Sequence, residues 1–294
     1  MANYIITTDS NADLPAELIQ KYNIPIIPQY YELDEIIYGD ELNLSPTSFY
    51  EKMREGALPK SMANNPAVIH DVFQSLLDNG YSILHIAFSS SLSGSYNNVC
   101  MVANELLEEY PNATIKVLDS QNVSLGEALL VLYALQQQEN GLSLEDNFNQ
   151  CNEYKSHLNV VFTVDDLHHL HRGGRVSKTT AILGSMINVK PILCINSEGK
   201  LVPNGTVRGR KKSLNTLVST LMELMVKTET TLYPVGIVHG DCIDDANYVA
   251  KQLKEKIGVE EILINDVSPS IGAHAGPGAL GLCFYGEKKT LVNR

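Results

Sequence analysis

A chain of 294 residues, 44% of them hydrophobic and 19% charged, carries enough apolar material for a sizeable core and too few charges for a disordered polymer. At roughly 150 residues per domain, the length predicts two domains. The formal net charge of −12 sets the field of the whole protein against nucleic-acid backbones and anionic membrane surfaces, so an anionic ligand must be held by local donors in a pocket.

From the N-terminus, residues 4–8 form a β-rich run, and 14–21 read as a helix capped by Asp13 with Pro15 in its first turn. Residues 24–33 are extended but hold Pro25 and Pro28, the mark of an edge strand or irregular segment. Ser45-Pro46 opens a helix to about residue 55. Two strand-then-helix units follow, 82–89 into 94–110 and 114–118 into 124–138, with short apolar strands of the kind buried on both faces. This alternation predicts an α/β fold whose N-terminal domain, residues 1–158, is a Rossmann-like parallel sheet flanked by helices.

The pattern changes after residues 159–164. Residues 191–196 and 201–208 read as antiparallel neighbours across the turn S-E-G-K, with Pro203 favouring an edge. Helices at 211–228 and 243–257 and strands at 233–239, 261–267 and 280–285 complete a C-terminal α/β domain, residues 159–294, with a mixed sheet.

The five cysteines, Cys100, Cys151, Cys194, Cys242 and Cys283, form no C-x-x-C pair and read as reduced thiols, with no metal site implied. No basic segment followed by an apolar stretch opens the chain, and no run approaches the roughly 18 residues of a membrane span. The expectation is a cytoplasmic protein without stable membrane insertion.

Four segments carry candidate chemistry. F-S-S-S-L-S-G-S-Y, residues 88–96, runs a buried strand into five serines and a glycine at the mouth of a helix, where ligands of open α/β sheets sit and helix N–H groups favour anions. One serine could be a simple cap; five exceed what a cap needs. Ser61 lies in the polar, proline-bounded segment L-P-K-S-M-A-N-N-P, whose Asn65-Pro66 starts a helix. His274 sits among small residues in I-G-A-H-A-G-P-G-A-L-G, where a lone loop histidine is more often structural than functional. In L-H-H-L-H-R-G-G-R-V-S-K, residues 167–178, the histidine spacing does not suit zinc, Gly173-Gly174 ends a helix, and Arg175 stands at an exposed junction. Asp9, Asp119 and Asp241 end strands and read as caps, and 208–212 is a solvated helix start or a docking patch. Phosphate-loop, serine-hydrolase-elbow and dinucleotide signatures are missing.

Taken in order, T-D-S-N-A-D-L, P-K-S-M, S-S-S-L-S-G-S-Y, L-D-S-Q-N-V-S, L-H-R-G-G-R-V-S, V-K-P-I-L and H-A-G-P-G-A-L-G resemble the DegV family of fatty-acid-binding proteins nearly end to end. The resemblance implies two α/β domains enclosing a fatty acid, with its carboxylate met by Ser61, by Ser93 with Gly94 and Ser95, and by His274. It places Met62, Arg172 and Arg175 beside the headgroup or a partner. The family is similar to the binding subunit of bacterial fatty acid kinase, which implies a separate ATP-dependent kinase subunit as partner, no cofactor and no ATP bound here. Serine stands at Ser61 and Ser95 where the family often has threonine, and Met62-Ala63-Asn64 replaces a common Ser-Gln-Pro run. Burying an acyl chain of about sixteen carbons would supply on the order of 10 kcal/mol gross, at about 0.8 kcal/mol per CH₂. Three alternatives remain open: a stand-alone serine hydrolase with Ser93 as nucleophile and His274 as base, a phosphotransferase acting alone, and a lipid-sensing regulator using the basic surfaces at 172–178 and 208–212.

Overall fold

The structure, a computed structural model, describes residues 3–177, 188–226 and 235–290. Strands β1 (Tyr4–Asp9), β2 (Ile26–Ile27), β6 (Ser82–Ala87) and β7 (Ile115–Asp119) form a parallel sheet in the order β2-β1-β6-β7. Helices α3 (Pro66–Asp78) and α4 (Ser95–Glu109) pack together on one side of it around Phe73, Ile83, Val99 and Leu106. A second, mixed sheet takes the order β10-β9-β8-β13-β11-β12, from β8 (Leu158–Thr163), β9 (Val189–Ile195), β10 (Leu201–Arg208), β11 (Val235–His239), β12 (Ile262–Asp266) and β13 (Leu280–Tyr285). Among the described residues, only β11 and β12 run parallel in it. As expected, β9 and β10 are antiparallel and Pro203 lies on the edge strand, where the register shifts between Pro203 and Thr206. Residues 227, 228, 233 and 234, expected within a helix and a strand, lie outside the described residues.

Helix α5 (Leu125–Glu139) joins the two sheets. Its L-G-E-A-L-L-V-L-Y-A-L run is apolar on nearly every side, and a helix apolar all round is a buried one. It packs on β1 and β6 of one sheet and on β8, β11 and β13 of the other. Tyr4, Ile6, Leu84 and Ile86 therefore share one core with Val160, Val238 and Cys283. Gly236 permits the approach, because a Cβ there would stand 2.8 Å from Leu125 Cβ.

Two local readings need correction, and one helix has no counterpart among them. The helix after β1, α1, spans Ala16–Tyr22 and is not capped by Asp13. Asp9 instead caps a short 3₁₀ turn at Ser10–Ala12, Asp13 follows it at φ +50°, and the Asp13 carboxylate accepts from the Ser124 hydroxyl and from Ser268 N–H. Residues 24–33 split: β2 edges the parallel sheet, then β3 (Tyr30–Leu33) becomes the centre of a small antiparallel sheet with β4 (Ile36–Tyr38) and β5 (Lys60–Met62). The alternation that buries Tyr31 and Leu33 carries this strand, and Tyr31 stacks on Tyr38 with ring centroids 5.1 Å apart. Finally α6 (Leu144–Tyr154), polar enough to escape notice, starts at Ser143, whose hydroxyl accepts from Asp146 N–H. Helix α2 (Pro46–Arg54) begins at its expected cap, Ser45.

Candidate functional site

Between the two sheets lies a cavity with about 840 Å³ of empty space, part of it continuous with solvent. Its wall is mostly apolar: Phe88 from the parallel half, Val160, Phe162, Val238 and Leu280 from the mixed sheet, and Val267 beyond β12. Ser61, Met62, Ser93, Arg175 and His274 all reach this one cavity; Gly94, Ser95 and Arg172 do not line it.

Ser61 sits mid-strand on β5, not in an unstructured loop, and pairs opposite Tyr31. That register puts its hydroxyl on the inner face, toward helix α10 (Pro269–Ala275). His274 belongs to this helix rather than to a loop. Ser268-Pro269 starts it, Pro269 at its first position, and Gly276 closes it at φ +74°. His274 Nε2 lies 2.6 Å from Ser61 Oγ, while Nδ1 is buried and makes no hydrogen bond. Burial, with the Arg175 and Arg172 guanidiniums beside it, pushes the imidazole pKa down to about 4, so His274 is neutral at pH 7. It bonds Ser61 rather than Ser93, and no carboxylate orients its far nitrogen, so the Ser93–His274 hydrolase geometry is not formed.

Most of the serine run has structural work. Ser89 donates to Gly199 O at 2.9 Å, Ser91 donates to Glu198 O at 2.6 Å, and Ser90 donates to Asp119, which ties the loop to the β9–β10 turn and to β7. Ser93 and Ser95 form a pair with hydroxyls 2.8 Å apart at the N-terminus of α4, and Ser95 N–H donates to Ser93 Oγ. Ser95 is buried and donates to Gln29 Oε1 at 2.8 Å. Gln29, which the sequence did not single out, thus supports the serine pair; it follows Pro28 between β2 and β3, a place local patterning gives no reason to choose.

Arg175 is not at an exposed junction. The guanidinium is half-buried in the cavity wall, and its Nε and Nη2 donate to Leu92 O at 3.0 and 2.7 Å while Nη1 donates to Gly173 O. Helix α7 (Leu167–Arg172) ends just before it, as the glycine pair predicted. Arg172 is exposed and donates to His169 Nδ1 at 2.9 Å. The patch at 208–212 is partly neutralised, since Arg210 pairs with Asp245 at 2.7 Å and Asp165 at 3.6 Å; Lys178 lies outside the described residues.

The strand-end aspartates do not reach the cavity. Asp9 accepts from Asn11 N–H and Phe88 N–H, Asp119 from Ser90 N–H and Gln121 N–H, and Asp241 pairs with Arg54. Burial raises Asp9 and Asp13 to about 7 and lifts Glu127 well above the carboxylate range, so these buried carboxyls favour their neutral forms. Among the described residues, no group of three or more His, Cys, Asp or Glu side chains could hold a metal ion, and no helix is long and apolar enough to cross a membrane.

A model of the family described as "Uncharacterised protein, DegV family" matches residues 3–287. A DegV domain-containing protein of Clostridium perfringens is 39% identical, covering 98% of this chain and 99% of its own length; one from Lactococcus lactis is 32% identical, covering 96% and 98%. Among solved structures, a Thermus thermophilus DegV protein described by its fatty acid binding is similar at TM-score 0.85 and 28% identity, covering 97% of this chain and 100% of its own. A Streptococcus agalactiae fatty acid binding DegV protein is similar at TM-score 0.85 and 27% identity, with 98% and 100% covered. A stearic-acid-binding protein of Eubacterium ventriosum matches at TM-score 0.85 and 25% identity, with 95% and 97% covered. The family model, the two relatives and the shared α/β architecture agree over the whole chain: it belongs to the DegV family.

Proposed function

We propose that this protein binds a long-chain fatty acid in the cavity between the sheets, carboxylate toward Ser61, Ser93 and His274, and presents it to a separate ATP-dependent kinase subunit for acyl phosphate formation. The observation that carries the reading is the cavity's polarity: apolar walls, with hydroxyls, a neutral imidazole and a half-buried guanidinium gathered at Ser61, Ser93, His274 and Arg175. Apolar walls supply affinity in proportion to the chain buried, while a few polar groups fix orientation. Fatty acid binding by similar DegV structures supports the ligand class.

In this reading His274 donates its Nε2 proton to Ser61 Oγ, which frees the Ser61 hydrogen for the carboxylate, while burial and the charges of Arg175 and Arg172 disfavour a second proton on the ring. Ser93 supplies a second hydroxyl, and Gly94-Ser95 opens helix α4, whose N-terminus favours negative charge. Met62, 41% exposed at the mouth, covers the headgroup, and Arg172 offers an exposed cation for the partner. The missing phosphate-cradling loop supports a separate nucleotide-binding subunit. Five free thiols suit a cytoplasmic, reducing setting.

The combined Ser93→Ala and His274→Ala substitutions should weaken hexadecanoate binding by at least about tenfold, the value of one lost hydrogen bond to a charged group. Unchanged affinity, read by calorimetry on delipidated protein, would sink the headgroup assignment. The close Ser61–His274 contact also favours a second reading, an ester hydrolase with Ser61 as nucleophile. Ester turnover abolished by Ser61→Ala would establish it.

A further inference from the structure

Gly173 caps α7 with φ −74° and ψ −6°, right-handed values open to any residue, so backbone conformation does not explain its missing side chain. Gly174 is the opposite case, with φ +76° and open space where a Cβ would point. A Cβ at Gly173 would meet His274, with Nδ1 at 1.9 Å and Cε1 at 2.5 Å. The imidazole therefore rests on the Gly173 backbone along one edge and bonds Ser61 through the other. The packing is reciprocal. Gly276, which closes α10, would with a Cβ meet His169 Cδ2 at 2.6 Å, so each of these two helices seats a histidine on the other's terminal glycine.

We infer that Gly173 is a positioning residue for the carboxylate site, its missing side chain being the seat that keeps His274 within hydrogen-bond reach of Ser61. A methyl group at 173 leaves the backbone unstrained but cannot share space with the ring. The ring is the movable party, being the end of a side chain, and turning away takes Nε2 off Ser61. Without the ring the same methyl group fits, and a glycine-to-alanine change at a compatible φ stabilises by restricting the unfolded chain. The sign of the substitution at 173 thus depends on what stands at 274.

The ligand side of this inference rests on the fatty acid reading; the packing side does not. The test is a double-mutant cycle on the full-length, delipidated chain: wild type, Gly173→Ala, His274→Ala and both together, each read by hexadecanoate titration and by thermal unfolding. Gly173→Ala should weaken binding about tenfold or more with His274 present and less than about twofold without it, since coupling of that size marks residues in contact. It should lower the melting temperature in the first background and leave or raise it in the second. Equal effects in both backgrounds, in binding and in melting, would overturn the inference. If the wild type takes up no hexadecanoate, the fatty acid reading fails and the melting cycle alone decides: coupling upholds the seat, additivity refutes it. If Gly173→Ala does not fold, recovery in the double variant upholds the inference and failure of both overturns it.

Discussion

The His274 imidazole and the buried carboxyls respond oppositely to burial, since each favours its neutral form: the histidine loses its proton readily, the acids keep theirs. Glu127 is the clearest acid. It is fully buried, Oε1 accepts from Thr8 Oγ1 at 2.8 Å, and Oε2 has no hydrogen-bond partner. Burial, then the neighbouring Asp9, raises its folded pKa above the unfolded value of 4.5. Its stability contribution is therefore complete below that value and is lost as pH rises toward the folded pKa. Glu127→Gln stays neutral and keeps an acceptor for Thr8, so it should stabilise the protein more at pH 8 than at pH 5. Urea unfolding at the two pH values checks this; a gain no larger at pH 8 would contradict it. At this scale the serine run was readable because it is local, but the partners that occupy Ser89, Ser90 and Ser91 come from the β9–β10 turn and from β7. The placement of Arg175 was not readable for the same reason: its anchor, Leu92 O, is 83 positions away in the chain.

Among the elements, α5 decides how the cavity is held. It packs between the two sheets, and Val160 and Val238, members of the core it shares with them, also line the cavity together with Phe88. Leu130 is fully buried in the core that α5 shares with both sheets. Leu130→Ala should cost about 2–5 kcal/mol, the range for truncating a buried leucine, and a cost below about 1 kcal/mol in chemical denaturation would refute this role. Strand–helix alternation and the β9–β10 hairpin could be read from periodicity and turn residues. The small sheet of β3, β4 and β5 could not, because its strands are short and one of them is the segment carrying Ser61, joined to β3 only through the fold. Likewise α10 reads as a loop from its glycines and prolines, yet Pro269 at its first position is a helix start.

Over the whole molecule, we propose residues 1–158 and 159–294 as two units of topology that fold together, since one core runs from Ile6 through α5 to Val238. Calorimetry should then show one unfolding transition with agreeing calorimetric and van't Hoff enthalpies; two separated transitions would contradict a shared core. The net charge of −12 also belongs at this scale, because it leaves the fatty carboxylate to local donors and gives a cationic partner face long-range attraction. The account's central claim is the ligand. Native mass spectrometry of the protein as expressed should show one long-chain fatty acid per chain, released on denaturation, and its share should fall in the Ser93→Ala/His274→Ala variant. Protein that carries no fatty acid and takes none up from added hexadecanoate would contradict the account.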